Sequence, residues 1–285
     1  MADAKMRLST GIDQLDQLLG GGLLPGTLTV VVGSTGIGKT QLGLQFAQAG
    51  AVQEERPGIL FDMSSRGDSQ HHAEYAARMF GRELDIVVPR DRVELGGFFD
   101  ADYPTGDYLH IFDQRGRRVS RRDLDFDQWQ DWQAELTKRL NASIAFFYGN
   151  FVRGVQRAVV DGLEPVDRPS DSIQIELFEY VYHQILRKDP EWVARDLFRE
   201  HYRVNADAIA QHTYDSKSIG CMLLLTSHET TLDGLVERPL DEGDVLSNAN
   251  TVIYLGKIRE GNKFRRAMYV AKHRGSMCPY EILPY

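Results

Sequence analysis

A chain of 285 residues with 42% apolar, 10% aromatic and 26% charged residues has the make-up of a folded globular protein, which excludes a disordered or fibrous chain. Its 33 Lys and Arg against 41 Asp and Glu leave a formal net charge of −8, so duplex DNA is not the default partner. Cys221 and Cys278 stand at no metal or redox spacing and read as reduced thiols. Residues 1–7 lack the apolar core of a secretion signal, and no run approaches the ~18 apolar residues of a membrane span, so the expectation is a cytoplasmic chain without membrane contact.

In chain order, Ile12, Leu15, Leu18 and Leu19 share one helical face, with Ser9 or Thr10 as cap and Gly20-Gly21-Gly22 as terminator. After Pro25-Gly26, Leu28-Thr29-Val30-Val31-Val32 is apolar on both faces and β-branched, which suits a buried central strand. A helix over residues 39–49, closing at Gly50, leads to a second short strand, Ile59-Leu60-Phe61-Asp62. A helix over 69–80 and a strand at Ile86-Val87-Val88 follow. Tyr108 to Phe112 and Arg117 to Val119, around Gly116, predict an inserted hairpin. A helix over 127–151, a strand over 155–160 ending in Asp161, and a helical tract over 173–211 broken at Pro190 come next. The tail returns to strands at 221–226 and 251–255, then a hairpin across Glu260-Gly261-Asn262 into 267–271. Helices alternating with strands and then a β-rich tail predict an α/β fold with a mostly parallel central sheet flanked by helices. Length alone permits two domains at about 150 residues each. No repeat or low-complexity linker divides the chain, so a single domain over 1–285 is expected, with insertions near 100–150 and 165–215.

Gly33-Ser34-Thr35-Gly36-Ile37-Gly38-Lys39-Thr40 satisfies the G-x-x-x-x-G-K-[S/T] pattern between a strand and a helix. Glycine lets the backbone approach phosphates, while loop amides and a helix N-terminus aim donors and partial positive charge at them. The expected nucleotide contacts are Ser34, Thr35, Gly36, Ile37, Gly38, Lys39, Thr40 and Gln41. Lys39 would reach the β and γ phosphates, and the Thr40 hydroxyl would take one position around Mg²⁺.

The sequence resembles the KaiC branch of the RecA-like ATPases, which also includes RadA-type recombinase relatives. One block runs from Leu8-Ser9-Thr10-Gly11-Ile12-Asp13 through Leu19-Gly20-Gly21-Gly22-Leu23, Pro25-Gly26 and the phosphate loop. The other runs from Leu225-Thr226-Ser227-His228-Glu229 through Val245-Leu246-Ser247-Asn248-Ala249-Asn250 to Lys272-His273-Arg274-Gly275-Ser276. Together they cover under half of the chain. The resemblance implies a RecA-like P-loop fold that binds ATP with magnesium, assembles as a homo-oligomer, in rings for some relatives, and hydrolyses ATP. It makes Arg157-Ala158-Val159-Val160-Asp161 the second magnesium-site strand, with the Asp161 carboxylate holding a metal-bound water; Asp62 competes, since it also ends an apolar strand. Relatives carry one or two glutamates after the second strand to polarise the attacking water, whereas this chain has Asp62-Met63-Ser64-Ser65. Hydrolysis is therefore expected to be slow unless Asp62, Asp68 or Glu229 substitutes. His228 stands where relatives place a γ-phosphate sensor, and Lys272 and Arg274 match a K-x-R-G segment that reaches a neighbouring subunit's γ-phosphate.

The loop after the sensor strand carries Glu229, Asp233, Glu237, Asp241, Glu242 and Asp244 against Arg238 alone, which disfavours strand exchange on nucleic acid and favours a protein partner and a regulatory role. Arg115, Arg117, Arg118, Arg121 and Arg122 form a basic cluster, read as a solvated face ahead of a contact with acidic protein or with nucleic acid. His71 and His72 read as surface residues, and Trp129 and Trp132, three apart on a helix, as packing residues. The expected function is a slow, magnesium-dependent, regulatory ATPase. A non-hydrolysing ATP-gated assembly module and a recombinase-type DNA-binding protein are the alternatives.

Overall fold

A computed structural model describes residues 6–64, 71–88, 93–112, 125–164, 173–237, 247–275 and 281–285; within 126–138 and at 173 it describes the backbone and only some side chains. The β-branched run forms β1 (Leu28–Gly33), buried throughout and hydrogen-bonded in parallel to β6 (Gly220–Thr226) and β7 (Thr251–Glu260). Beyond β6 lie β5 (Arg157–Leu163), β2 (Ile59–Asp62), β4 (Tyr108–His110) and β3 (Ile86–Val87), all parallel. Beyond β7, the antiparallel β8 (Lys263–His273) and β9 (Leu283–Pro284) complete a nine-stranded sheet of order β3-β4-β2-β5-β6-β1-β7-β8-β9.

The twofold period of the strands divides the core in two. Val31, Leu60, Val159, Met222 and Leu224 face α1 (Asp13–Leu18), α2 (Lys39–Gln53) and α3 (His72–Phe80). Val30, Val32, Phe61, Val160 and Leu223 face the other layer, α4 (Phe126–Phe151), α5 (Ile173–Val181), α6 (Pro190–Phe198) and α7 (Ala206–Gln211). The expected α/β architecture and β-rich tail are present.

Several elements differ in detail from the sequence expectation. Ser9 and Thr10 do not cap α1, whose N-cap is Ile12; their hydroxyls instead donate to the Asp16 carboxylate at 2.5 and 2.7 Å. Gly50 does not end α2, which continues to Gln53. A Cβ there would meet the Arg56 carbonyl oxygen at 2.5 Å, so the glycine serves close approach rather than termination. The run from Tyr108 supplies β4, a parallel strand between β2 and β3, because Leu109 is fully buried and pairs on both sides; the second arm of the expected hairpin lies outside the described residues. The tract after 173 breaks at Asp189, whose carboxylate caps α6 by accepting from the Glu191 amide, with Pro190 in the first turn.

Candidate functional site: a phosphate loop and a buried acid cluster

Four parallel strands, β1, β6, β5 and β2, end side by side, and their C-terminal ends carry Gly33, Ser227, Asp161 and Asp62. This is where open parallel sheets bind ligands. Between β1 and α2 the chain makes the glycine loop, with φ of +75° at Gly36 and +120° at Gly38. A Cβ at Gly36 would meet nothing within 4 Å, and one at Gly38 nothing nearer than 3.8 Å, so the bare backbone lines open space at a helix N-terminus. Ser34 and Ile37 are buried, Thr35 is exposed, and Gly38 and Gln41 are half-buried. Lys39 is 7% exposed and its Nζ donates to the Gly33 and Ser34 carbonyls at 2.9 and 3.1 Å. Burial lowers its pKa to about 8, against the charge of Asp161. A buried cation among backbone carbonyls beneath an open glycine cradle fits a triphosphate.

Thr40 Oγ1 donates to Asp161 Oδ2 at 2.7 Å, which joins the loop to the end of β5. A hydroxyl and a carboxylate at contact form a hard oxygen donor set that fits Mg²⁺. Burial opposes the charge on Asp161, yet the hydrogen bond and charge of His72, the Thr40 hydroxyl and Lys39 together hold its carboxyl below the ordinary range.

Asp62, the competing carboxylate, is 2% exposed. Its Oδ1 accepts from the Ser64 amide at 2.8 Å and its Oδ2 from the Tyr108 hydroxyl at 2.7 Å. Burial and the Asp62 charge push the Tyr108 pKa up. Ser64 is buried, and among the described residues no partner reaches its hydroxyl. Its carbonyl accepts from His110 Nε2 at 2.9 Å. Ser65 and Asp68 lie outside the described residues.

His72 corrects the surface assignment. His71 is exposed, with Nδ1 3.4 Å from Glu74, but His72 is 3% exposed, with Nε2 3.1 Å from Asp161 Oδ2 and Nδ1 3.5 Å from Asp62 Oδ2. His72 stands four residues before the fully buried Ala76, on the inner face of α3, a placement that only the packing of α3 on the sheet reveals.

At the end of β6 the residue nearest the loop is Ser227, whose N–H donates to the Gly33 carbonyl at 3.0 Å and whose Oγ accepts from the Glu229 N–H. His228 is exposed and Glu229 half-buried. Lys272 and Arg274 lie at the other end of the sheet from the loop. Lys272 pairs with Val252, itself level with Val30, about 10 Å along β1 from Gly33, and both cations reach the Ser247 carbonyl. Within one chain, then, they do not meet the phosphate loop.

Two residues absent from the sequence reading do meet it. Arg266 Nη2 donates to the Gly36 carbonyl at 3.2 Å, and the Tyr285 hydroxyl to the Ile37 carbonyl at 2.8 Å, with burial pushing the Tyr285 pKa up to about 12. No local motif marks them, because both arrive through the distant β8–β9 pairing. The arginines between 115 and 122, Arg238, Asp241, Glu242, Asp244 and Cys278 lie outside the described residues, as do the Trp129 and Trp132 side chains.

A mostly parallel sheet whose first strand feeds a glycine phosphate loop, with a threonine and a strand-end aspartate in contact beside it, defines a P-loop fold of the RecA type. A family model described as "ATPase: KaiC" matches residues 8–96. The circadian clock oscillator protein KaiC of Prochlorococcus marinus (strain MIT 9313) is 26% identical over 274 residues, 95% of this chain and 42% of that protein. The circadian clock protein KaiC2 of Synechocystis sp. (strain ATCC 27184 / PCC 6803 / Kazusa) is 42% identical over 90 residues, 31% of this chain and 15% of its own. The DNA repair protein RadA of Mycobacterium tuberculosis (strain CDC 1551 / Oshkosh) is 47% identical over 47 residues, 16% of this chain and 10% of its own. The chain is similar to the KaiC ATPases over residues 8–96, and its sheet and loop are RecA-like. It spans less than half the length of each of these relatives. Among the described residues no helix is long and apolar enough to cross a membrane.

Proposed function

We propose that this chain is a magnesium-dependent ATP-binding protein and slow ATPase, with nucleotide at the interfaces of a homo-oligomer and a regulatory role exerted through a protein partner. The observation that carries the reading is the contact of Thr40 with Asp161 beside the buried Lys39 at the mouth of the glycine loop. The loop amides and Lys39 would hold the β and γ phosphates, while Thr40 and Asp161 would hold the metal, directly and through a water. Bound Mg²⁺ neutralises charge on the phosphates. The regulatory role draws on the clock proteins among the relatives, and the assembly on the position of Lys272 and Arg274, which one chain cannot bring to its own loop.

Slow turnover follows from the end of β2. Ser64 is no base near neutral pH, and both Asp62 oxygens already accept hydrogen bonds, from the Ser64 amide and the Tyr108 hydroxyl. Native mass determination with and without ATP and Mg²⁺, with phosphate release measured in the same samples, tests the reading. The expected result is an ATP-dependent assembly with low phosphate release, both lost in Lys39→Ala. Assembly without phosphate release would leave only an ATP-gated module. Failure to bind adenine or guanine triphosphates at all would overturn the reading.

A further inference from the structure

His72 is held in the acid cluster far more specifically than a core-filling side chain needs to be. Its ring lies between two buried carboxylates, Asp161 and Asp62, with the Tyr108 ring centroid 5.3 Å away. Burying charged groups together costs free energy that an apolar side chain of similar volume avoids. Asp161 keeps its register with Asp62 on the β2 side, but on the β6 side β5 shifts register between Val160 and Leu163, where Gly162 turns through φ +93°. A bulge on one side loosens the ladder that would otherwise fix the carboxylate's direction. Its Oδ1 accepts from the Gly162 amide at 2.7 Å, while Oδ2 accepts the Thr40 hydroxyl from α2 and Nε2 of His72 from α3. Because a carboxylate can only accept, His72 Nε2 carries the proton in this contact. The carboxyl plane cannot rotate without breaking one of these three bonds.

We propose that His72 is a positioning residue for the metal half of the site: by clamping Asp161 against Thr40 from the adjacent helix, it sets how much divalent cation the chain needs to hold a nucleotide. This rests on the nucleotide reading above and adds to it a residue on α3 outside both motif blocks. Removing the outer partner of a metal-holding carboxylate weakens metal binding by about 10- to 100-fold.

The test is ATP binding by calorimetry, in EDTA and then across a Mg²⁺ titration, for the wild-type chain, His72→Leu and His72→Met, which keep apolar bulk, and His72→Gln, which restores an N–H. The expected result is that the two apolar variants bind ATP in EDTA as the wild type does, while the Mg²⁺ concentration at half-maximal binding rises about tenfold or more. His72→Gln should recover most of that shift. Wild-type Mg²⁺ dependence in the apolar variant that folds would overturn the proposal, as would equal losses of ATP binding with and without metal, or a Gln variant no better than the apolar ones. ATP binding by the wild-type chain that ignores Mg²⁺ is a separate outcome, which overturns the magnesium reading and this inference with it.

Discussion

Gly162 and Gly36 both adopt positive φ, yet their surroundings differ. A Cβ at Gly162 would come within 2.2 Å of the Ser64 amide nitrogen, whereas one at Gly36 would meet nothing within 4 Å. Gly36→Ala should therefore carry only the backbone strain, about 1 kcal/mol, and Gly162→Ala that strain plus a backbone clash, about 3 kcal/mol or more. Urea midpoints at matched m-values should show the larger drop for Gly162→Ala; equal drops would mean that the bulge relaxes freely. At this scale the glycine loop between β1 and α2 was legible, since its pattern resides in eight contiguous residues. His72 was misplaced because a His-His pair offers one polar and one buried position, and only the packing of α3 shows which is which. Asp161 over Asp62 was preferred from the family resemblance, and the structure puts Asp161, not Asp62, in contact with Thr40.

Among the elements, β5 begins with a side chain that ties three segments together. Arg157 is fully buried; it pairs with Glu54 at 2.7 Å, donates to the Phe46 carbonyl at 2.9 Å and to the Ser9 carbonyl at 2.5 Å, and stacks over the Phe46 ring. Arg157→Ala would leave the buried Glu54 charge and two carbonyls without this partner, a loss of about 3–5 kcal/mol. Thermal unfolding with circular dichroism checks this, and a change under about 1 kcal/mol would show that water replaces the guanidinium. Strand identity was legible wherever short apolar runs were bounded by Gly or Pro, as in β1 and β2. The direction and partners of β4 were not, because three residues carry an alternation but no information about which strand lies beside them.

For the whole molecule, the sheet places Lys272 and Arg274 at the end remote from their own phosphate loop, so any contact of theirs with nucleotide must be made on another copy. A Lys39→Ala chain keeps these cations, and a Lys272→Ala/Arg274→Ala chain keeps its loop. Mixing the two should release more phosphate than either alone, since some interfaces regain both halves; a mixture no better than its components would remove the role in trans. The acidic stretch after β6 and the arginines near 115–122 bear on the choice of partner, and the net charge of −8 keeps nucleic acid an unexpected one.

The sequence by itself determined the α/β class and the glycine loop between β1 and α2, because each is written in neighbouring residues whose spacing has one physical reading. Only the tertiary structure decided that Thr40 meets Asp161 across 121 residues, that His72 meets the same carboxylate across 89, and that Arg266 and Tyr285 reach the loop carbonyls. Those meetings depend on strand order and on a bulge in β5, and pairing between distant segments is set by packing of the whole sheet rather than by any local pattern.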